Sequence, residues 1–273
     1  MTDRYAVMGN PVAHSKSPRI HAAFAKQCSQ DLEYAALLVE PGTFNERVRA
    51  FFDAGGKGLN ITVPFKQEAW ELADVRSPQA ELAGAVNTLL RDEIGRMQGH
   101  NTDGIGLVRD IVQNHGGELR DKAILILGAG GATRGIVLPL LHEGPARICI
   151  ANRTVSKAEE LAALFAPHGN VSACGGFEEL RGQQFDWVLN ATAASLQGEL
   201  PPLPDDLLHA NSWCYDLMYA SEPTIFCRWA AAHGACKALD GLGMLVEQAA
   251  EAFWLWRGIR PDTAPVLAEL RRG

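Results

Sequence analysis

The sequence predicts an α/β protein of two domains: a mostly parallel α/β domain at the N-terminus and a doubly wound one after it. A last helix is expected to pack back on the first domain. Two observations carry this. Short apolar runs alternate with amphipathic segments along nearly the whole chain, the pattern of strands joined by helical crossovers. One of these runs, "AILILGAG", ends on a glycine-rich turn that leads into a helix, which marks a Rossmann-type unit. A length of 273 residues agrees with two domains. The pattern divides the chain into 1–103, 104–241 and a returning segment 242–273.

In the first domain "YAVMG", "LEYAALLV", "GLNITV" and "AVNTLLR" are strand candidates, several bounded by Gly, Pro or Asn. Between them "SPRIHAAFAKQC" and "TFNERVRAFFDAG" have helical spacing, and Gly55 ends the second. Ser17 reads as the N-cap of the first of these helices and Pro18 as its first residue. "TDGIGLVRDIVQNHGG" is a connecting helix closed by Gly116 and Gly117. The alternation then restarts with "AILILGAG", "ARICIA", "NVSACG", "DWVLNAT", "WCYDLM" and "ACKAL". These runs show no clean period of two, as expected of strands covered on both faces. Helices such as "TVSKAEELAALFA" and "EPTIFCRWAAAHG" separate several of them. The last helix begins near Leu242 and ends at Gly258, with Pro261 beyond. It carries too much aromatic and aliphatic surface to stand alone. Its return gives the two halves two crossings and a capacity to hinge.

Composition narrows the function. A net charge of −7 favours solubility and argues against a nucleic-acid surface. No apolar run approaches the length needed to span a bilayer. The start, "MTDRYAVMGNPVAHSKSP", reads as no signal peptide. Six cysteines are scattered without a CxxC pair and read as reduced thiols of a cytoplasmic protein. His14, His21 and His100 show no ligand-like spacing, so no metal is expected.

The glycine turn comprises Gly128, Ala129, Gly130, Gly131 and Ala132, with Gly135 further into the helix. Glycine allows close backbone approach to a pyrophosphate, and the helix start presents free N–H groups. Asn152 lies 24 residues after Gly128, about where an NAD site carries an acid for the ribose hydroxyls. Here Arg153 follows instead, suited to a bidentate pair with a 2′-phosphate and to stacking on adenine. Thr154 adds a hydroxyl and Lys157 a charge one helical turn later. A capped helix start with ordinary surface cations explains the same residues and is compatible with anion binding. The pattern favours NADP over NAD.

Polar residues gather at the ends of the first domain's strands. "HSKSP" offers Ser15 and Ser17 at a helix start, a setting suited to a carboxylate. "NITVPFK" supplies Asn60, Thr62 and Lys66, "GAVNTL" supplies Asn87, and "HNTDG" supplies Asn101, Thr102 and Asp103. Singly these are turn or surface residues. Together they suit a polyhydroxylated substrate with a transferable proton.

Through "HSKSP", "NITVPFK", "GAVNTL", "NTDGIG", "GAGGATRG", "NRT", "YDLMY" and "DGLGMLVEQAA" the chain resembles the shikimate dehydrogenase family over nearly its whole length. The resemblance implies NADPH-dependent, reversible reduction of 3-dehydroshikimate to shikimate in aromatic amino acid (chorismate) biosynthesis. Lys66 then matches the proton donor and acceptor and Asp103 its catalytic partner. Ser15 and Ser17 match the serines holding the substrate carboxylate. Asn60, Thr62, Asn87, Asp103 and Gln248 match residues around the ring hydroxyls, and Tyr219 a tyrosine reaching towards the substrate. The glycine turn, Asn152, Arg153, Thr154 and Lys157 match the NADP segment. Met244 matches a residue lining the nicotinamide pocket, and Gly241 lies at the same loop. One departure is "NATAASLQGELPP", with Ala193 where Ser is frequent; Thr192 remains, so a cofactor loop short of one hydroxyl is expected. The implied partners are the small-molecule substrate and NADP, with neither nucleic acid nor membrane, in a monomer or homodimer.

Two other readings stand beside this one. A quinate/shikimate dehydrogenase of broader specificity and NAD preference is opposed by Asn152–Arg153 and by Ser17. A catalytically idle ligand sensor is opposed by the presence of both Lys66 and Asp103.

Overall fold

The computed structural model describes residues 2–192 and 194–272. The chain divides into two compact units, one built from residues up to 106 together with Val246–Arg272, the other from Leu107–Leu245.

The first unit runs β1 (Asp3–Gly9), α1 (Ser17–Gln27), β2 (Leu32–Leu38), α2 (Phe44–Asp53), β3 (Gly58–Ile61), α3 (Lys66–Leu72), β4 (Val75–Arg76), α4 (Pro78–Ala83), β5 (Thr88–Arg91) and β6 (Met97–His100). Its sheet has the order β2-β1-β3-β5-β6-β4. β1 pairs in parallel with β2 and β3, and β4 in parallel with β6. β5 is antiparallel to both neighbours, because β5 and β6 form a hairpin through the turn at Gly95, whose φ is +85°. One face is covered by α2 and α3. There Phe44 stacks on Phe65, centroids 5.0 Å apart, among Met8, Leu59, Val86 and Leu89.

The chain leaves this sheet through α5 (Asp103–Arg109), which continues as a π-helical turn over Asp110–Asn114. The second unit then runs β7 (Ala123–Leu127), α6 (Gly131–His142), β8 (Arg147–Ala151), α7 (Val155–Phe165), β9 (Val171–Ala173), β10 (Phe185–Asn190), β11 (Leu208–Asp216), α8 (Ile225–Ala232) and β12 (Lys237–Asp240). All six strands are parallel, in the order β12-β11-β10-β7-β8-β9. Ile124–Leu127 and Ile148–Ala151 are fully buried, which explains their continuous apolar runs. The order reverses at β7. A doubly wound sheet opens its ligand crevice at the carboxyl ends of the strands beside such a reversal.

α9 (Leu242–Arg257) and α10 (Ala264–Arg271) complete the chain. From Val246 onwards this segment packs on the first unit, as its apolar surface requires. Trp256 Nε1 donates to the Leu89 carbonyl at 3.2 Å, and its ring lies 4.8 Å from Tyr5. Arg257 pairs with Asp3, and Arg19 on α1 with Glu269 on α10 at 2.8 Å. Gly258, φ +68°, ends α9.

Cys149 on β8 and Cys174 just past β9 are neighbours, Cα–Cα 5.8 Å, while Cys28, Cys214, Cys227 and Cys236 are free. Parallel pairing of β8 with β9 brings together two residues 25 apart, a proximity that sequence spacing does not announce. Among the described residues no helix is long and apolar enough to cross a membrane, and no cluster of His, Cys, Asp and Glu is arranged to hold a metal.

Candidate active site

The first unit gathers most of the expected substrate residues into one hydrogen-bonded group. Lys66 is the first residue of α3, delivered from β3 by the turn at Thr62–Pro64. Asp103 is the first residue of α5, where the free N–H groups and the helix dipole favour a negative charge. Lys66 Nζ lies 2.5 Å from Asp103 Oδ2, and both side chains are half-buried. Asn87 Nδ2 donates to Asp103 Oδ1 at 2.8 Å, so the carboxylate is held from both sides. The same Nδ2 is 3.5 Å from Gln248 Oε1 of α9, which also accepts from Thr102 Oγ1 at 3.4 Å. Asn60 on β3 donates through Nδ2 to the Asn87 carbonyl at 3.2 Å, and its Oδ1 accepts from Tyr34 Oη at 2.7 Å.

Ser15 and Ser17 sit at the start of α1, where the Ser17 N–H donates to Ser15 Oγ at 3.2 Å. The helix start is shifted by one from the sequence expectation. Lys16 is the N-cap, and Ser17 is the buried first helical residue with Pro18 after it. The Ser17 hydroxyl is therefore no cap; it lies beside Tyr34, the tyrosine that reaches Asn60. Thr62 belongs to the turn before Lys66. Its N–H donates to the Met8 carbonyl at 2.9 Å and its methyl fills the space above Gly9, while its hydroxyl is outside the network.

The second unit carries the expected cofactor residues at the carboxyl ends of β7, β8 and β10. Gly128 has φ +102°, and a Cβ there would lie 3.1 Å from Thr192 Cγ2 and 3.3 Å from the Ala191 carbonyl. Gly130 and Gly131 are different: a Cβ on either meets nothing within 4 Å, so they front open space at the start of α6. Gly131 and Ala132 in that first turn have N–H groups without an intrahelical acceptor, a cradle for a pyrophosphate. Asn152 bridges two segments. Its Oδ1 accepts from the Ala129 N–H at 3.2 Å and its Nδ2 donates to the Thr154 carbonyl at 2.8 Å. An acid could make only the first of these bonds. Thr154 is the N-cap of α7 by backbone position, without a side-chain capping bond, so its hydroxyl is not spent on the helix. Arg153, Thr154 and Lys157 are all exposed around this helix start. These residues fit a nucleotide carrying an extra phosphate.

Thr192 Oγ1 donates to Asn190 Oδ1 at 2.7 Å, which fixes the loop after β10. Ala193, the departure noted above, lies outside the described residues. Gly241 is buried against the 216–218 backbone, and the Met244 N–H donates to Tyr215 Oη at 3.3 Å at the start of α9. Tyr219 follows β11, and burial raises its hydroxyl pKa.

Several contributors were not anticipated. Asp216 is buried at the end of β11, where Oδ2 accepts from Ser195 Oγ at 2.7 Å and Thr224 Oγ1 at 2.6 Å, and Oδ1 from Asn190 Nδ2 at 3.1 Å. It ties the loops after β10 and β11 together, and burial raises its carboxyl pKa despite these donors. Behind Asn60, His21 is fully buried and stacks on Tyr34 at 4.2 Å, and burial lowers its ring pKa to about 3. The available signal was a polar residue placed at the end of, or within, an otherwise buried apolar run, as with Asp216 in "WCYDLM".

Comparison with known proteins accords with this arrangement. Residues 7–89 match the shikimate dehydrogenase substrate binding domain, 110–197 the shikimate/quinate 5-dehydrogenase family, and 241–271 the shikimate 5′-dehydrogenase C-terminal domain. The chain is 60% identical over 271 residues to the shikimate dehydrogenase (NADP+) of Alkalilimnicola ehrlichii, covering 99% of each chain. Among solved structures, an Ael1 enzyme from Pseudomonas putida matches with TM-score 0.94 at 49% identity, covering 98% of each chain. The shikimate 5-dehydrogenase of Thermus thermophilus, solved with NADP(H) and shikimate, matches with TM-score 0.87 at 34% identity, covering 99% of each chain. The chain belongs to the shikimate dehydrogenase family.

Proposed function

We propose that this protein catalyses the reversible, NADP-dependent reduction of 3-dehydroshikimate to shikimate. The observation that carries the catalytic assignment is the Lys66–Asp103 contact, tied through Asn87 to Gln248. Bound NADPH supplies a hydride to the ring ketone. As the carbonyl oxygen gains negative charge, Lys66 stabilises it and delivers the proton, and in the reverse direction neutral Lys66 accepts it. Asp103 fixes the direction of Lys66 and accepts from a neighbouring ring hydroxyl. Ser15 and Ser17 hold the carboxylate at the start of α1. Asn60, Thr62, Asn87 and Gln248 read the hydroxyls, and Tyr219 reaches towards the substrate.

Gly128–Ala132 take the pyrophosphate, Arg153, Thr154 and Lys157 the 2′-phosphate, and Asn152 keeps their two segments in register. Met244 lines the nicotinamide pocket with Gly241 at the same loop, and Thr192 belongs to the cofactor loop after β10. Residues 1–103 form the substrate and catalytic part, 104–241 the NADP part, and 242–273 the segment returning to the first. We place the enzyme in the cytoplasm, as a monomer or homodimer.

The test follows reduced-nicotinamide formation with shikimate or quinate, each paired with NADP or NAD. Turnover confined to shikimate with NADP supports the proposal. Comparable rates with quinate or NAD would make this a broader dehydrogenase and remove the 2′-phosphate role of Arg153. NADP binding without turnover of either substrate would make the chain a ligand sensor.

A further inference from the structure

A continuous chain of polar side chains crosses the first unit, and its donors all point one way. Tyr34 Oη donates to Asn60 Oδ1 at 2.7 Å. Asn60 Nδ2 donates to Thr88 Oγ1 at 3.1 Å, and Thr88 Oγ1 donates to Asn87 Oδ1 at 2.9 Å. Asn87 Nδ2 then donates to Asp103 Oδ1, whose other oxygen receives Lys66. Thr88, at 0% exposure, is the central link and touches no solvent. It is the first residue of β5, directly after Asn87, and its hydroxyl reaches two amides on neighbouring strand ends.

A primary amide has one accepting and one donating end, and the two ends are nearly equal in shape. Only its partners decide which end faces a ligand. The Thr88 hydroxyl has one proton. Given to Asn87 Oδ1, that proton fixes Asn87 with its Nδ2 towards Asp103. The hydroxyl's lone pair then takes Asn60 Nδ2, which leaves Asn60 Oδ1 facing Tyr34 and available to a second donor. One hydroxyl thereby links the two amides and matches the polarity of each.

We infer that Thr88 is a positioning residue for the proposed reaction, acting through Asn60 and Asn87 to present a fixed acceptor and a fixed donor to the substrate hydroxyls and to hold Asp103 against Lys66. The inference rests on the dehydrogenase reading above and adds to it the residue that orients its polar contacts. Backbone groups also hold the amides: the Thr102 N–H donates to Asn87 Oδ1 at 3.0 Å, and Asn60 Nδ2 reaches the Asn87 carbonyl. Loss of the hydroxyl therefore loosens the pair without releasing it, and the expected effect is graded.

The experiment compares Thr88→Val, which keeps the shape and removes the hydroxyl, with Thr88→Ser, which keeps the hydroxyl and removes a methyl. Steady-state kinetics are measured separately for shikimate and for NADP. For Thr88→Val we expect kcat/KM for shikimate to fall about tenfold with KM for NADP within about twofold of wild type. For Thr88→Ser we expect kcat/KM within about twofold of wild type. An equal fall in both variants would make Thr88 a packing residue and overturn the inference, as would unaltered kinetics in Thr88→Val or a matching rise in KM for NADP. If Thr88→Val does not fold, Thr88→Cys takes its place with the same fall expected, and unaltered kinetics in that variant overturns the inference. A wild-type protein inert towards shikimate and NADP overturns the functional reading itself. An active wild type with an equally active Thr88→Val overturns only the role of Thr88.

Discussion

At the scale of single residues, the proposed mechanism separates side chains that would do chemistry from side chains that would aim them. Lys66 is half-buried and held only at its tip, by Asp103, so its removal costs the fold little. Lys66→Ala is expected to lower kcat by about 10²–10⁴-fold, the usual span for a lost general acid, with KM for NADP nearly unchanged. Circular dichroism must match wild type, and retained turnover would remove Lys66 from the mechanism. Arg153 is exposed and makes no ion pair among the described residues, so its proposed role is entirely towards the ligand. A charge-assisted contact is worth about 1.5–3 kcal/mol. Arg153→Ala should therefore raise KM for NADP by roughly ten- to a hundredfold and leave KM for shikimate alone. Equal changes in both constants would count against a 2′-phosphate contact. The candidates Lys66, Asp103 and Arg153 could be picked out because they stand at strand ends in recognisable strings. Thr88, Tyr34 and His21 could not. Each lies inside a helix or strand, and only the pairing of β3 with β5 and the packing of α1 on β2 reveal what they touch.

At the scale of elements, legibility followed length and burial. In the second unit β7, β8 and β10 were readable because near-complete burial on both faces demands unbroken apolar runs, while β9 and β12 are only partly buried. β4 has two residues, β6 reads "MQGH", and α3 and α4 have seven and six residues, too short for any period to declare itself. The antiparallel course of β5 was hidden for a related reason: the hairpin turn before β6 is marked by one glycine in a polar loop. Glycines show the difference between a residue required by the fold and one required by a ligand. A Cβ on Gly241 would lie 2.2 Å from the Leu217 carbonyl oxygen, and backbone on both sides cannot yield. Gly241→Ala should lower stability by about 1–3 kcal/mol, read as a lower urea midpoint. Gly130, with φ −95° and open space before it, has no such constraint. Gly130→Ala should leave stability within about 0.5 kcal/mol of wild type while weakening NADP binding, because the added methyl would occupy the proposed pyrophosphate cradle. A large stability loss in Gly130→Ala would mean that this glycine serves the fold.

At the scale of the whole molecule, the return of the C-terminal helix was legible because α9 carries apolar side chains that no local partner could cover, and Phe253 and Trp256 end against α1, β1 and β2. That return also buries His21, and the burial sets the response of the first unit to acid. Around the imidazole stand Tyr34, Phe24, Phe253 and Trp256, with Asn60 beside it; Tyr34 is the titratable neighbour, and burial holds its hydroxyl well above the usual range. Burial lowers the His21 pKa from 6.5 to about 3. Above pH 6.5 the ring is neutral in folded and unfolded chains alike, and it adds no pH dependence. Below pH 6.5 the unfolded chain takes up a proton that the folded chain refuses, so stability falls with pH until about pH 3. One proton corresponds to about 1.4 kcal/mol per pH unit. His100, lowered by burial, acts in the same direction, and Asp216, raised by burial, in the opposite one. Both remain in His21→Phe, where the aromatic ring keeps its stack on Tyr34 and only the titration is lost. Urea unfolding of wild type and His21→Phe at pH 7, 6, 5 and 4.5 should show wild type losing stability faster by up to about 1.4 kcal/mol per unit, approached towards the acid end. Parallel curves would mean that the folded protein accepts the proton at His21, and that water reaches the ring between α1 and β2 more than its burial implies.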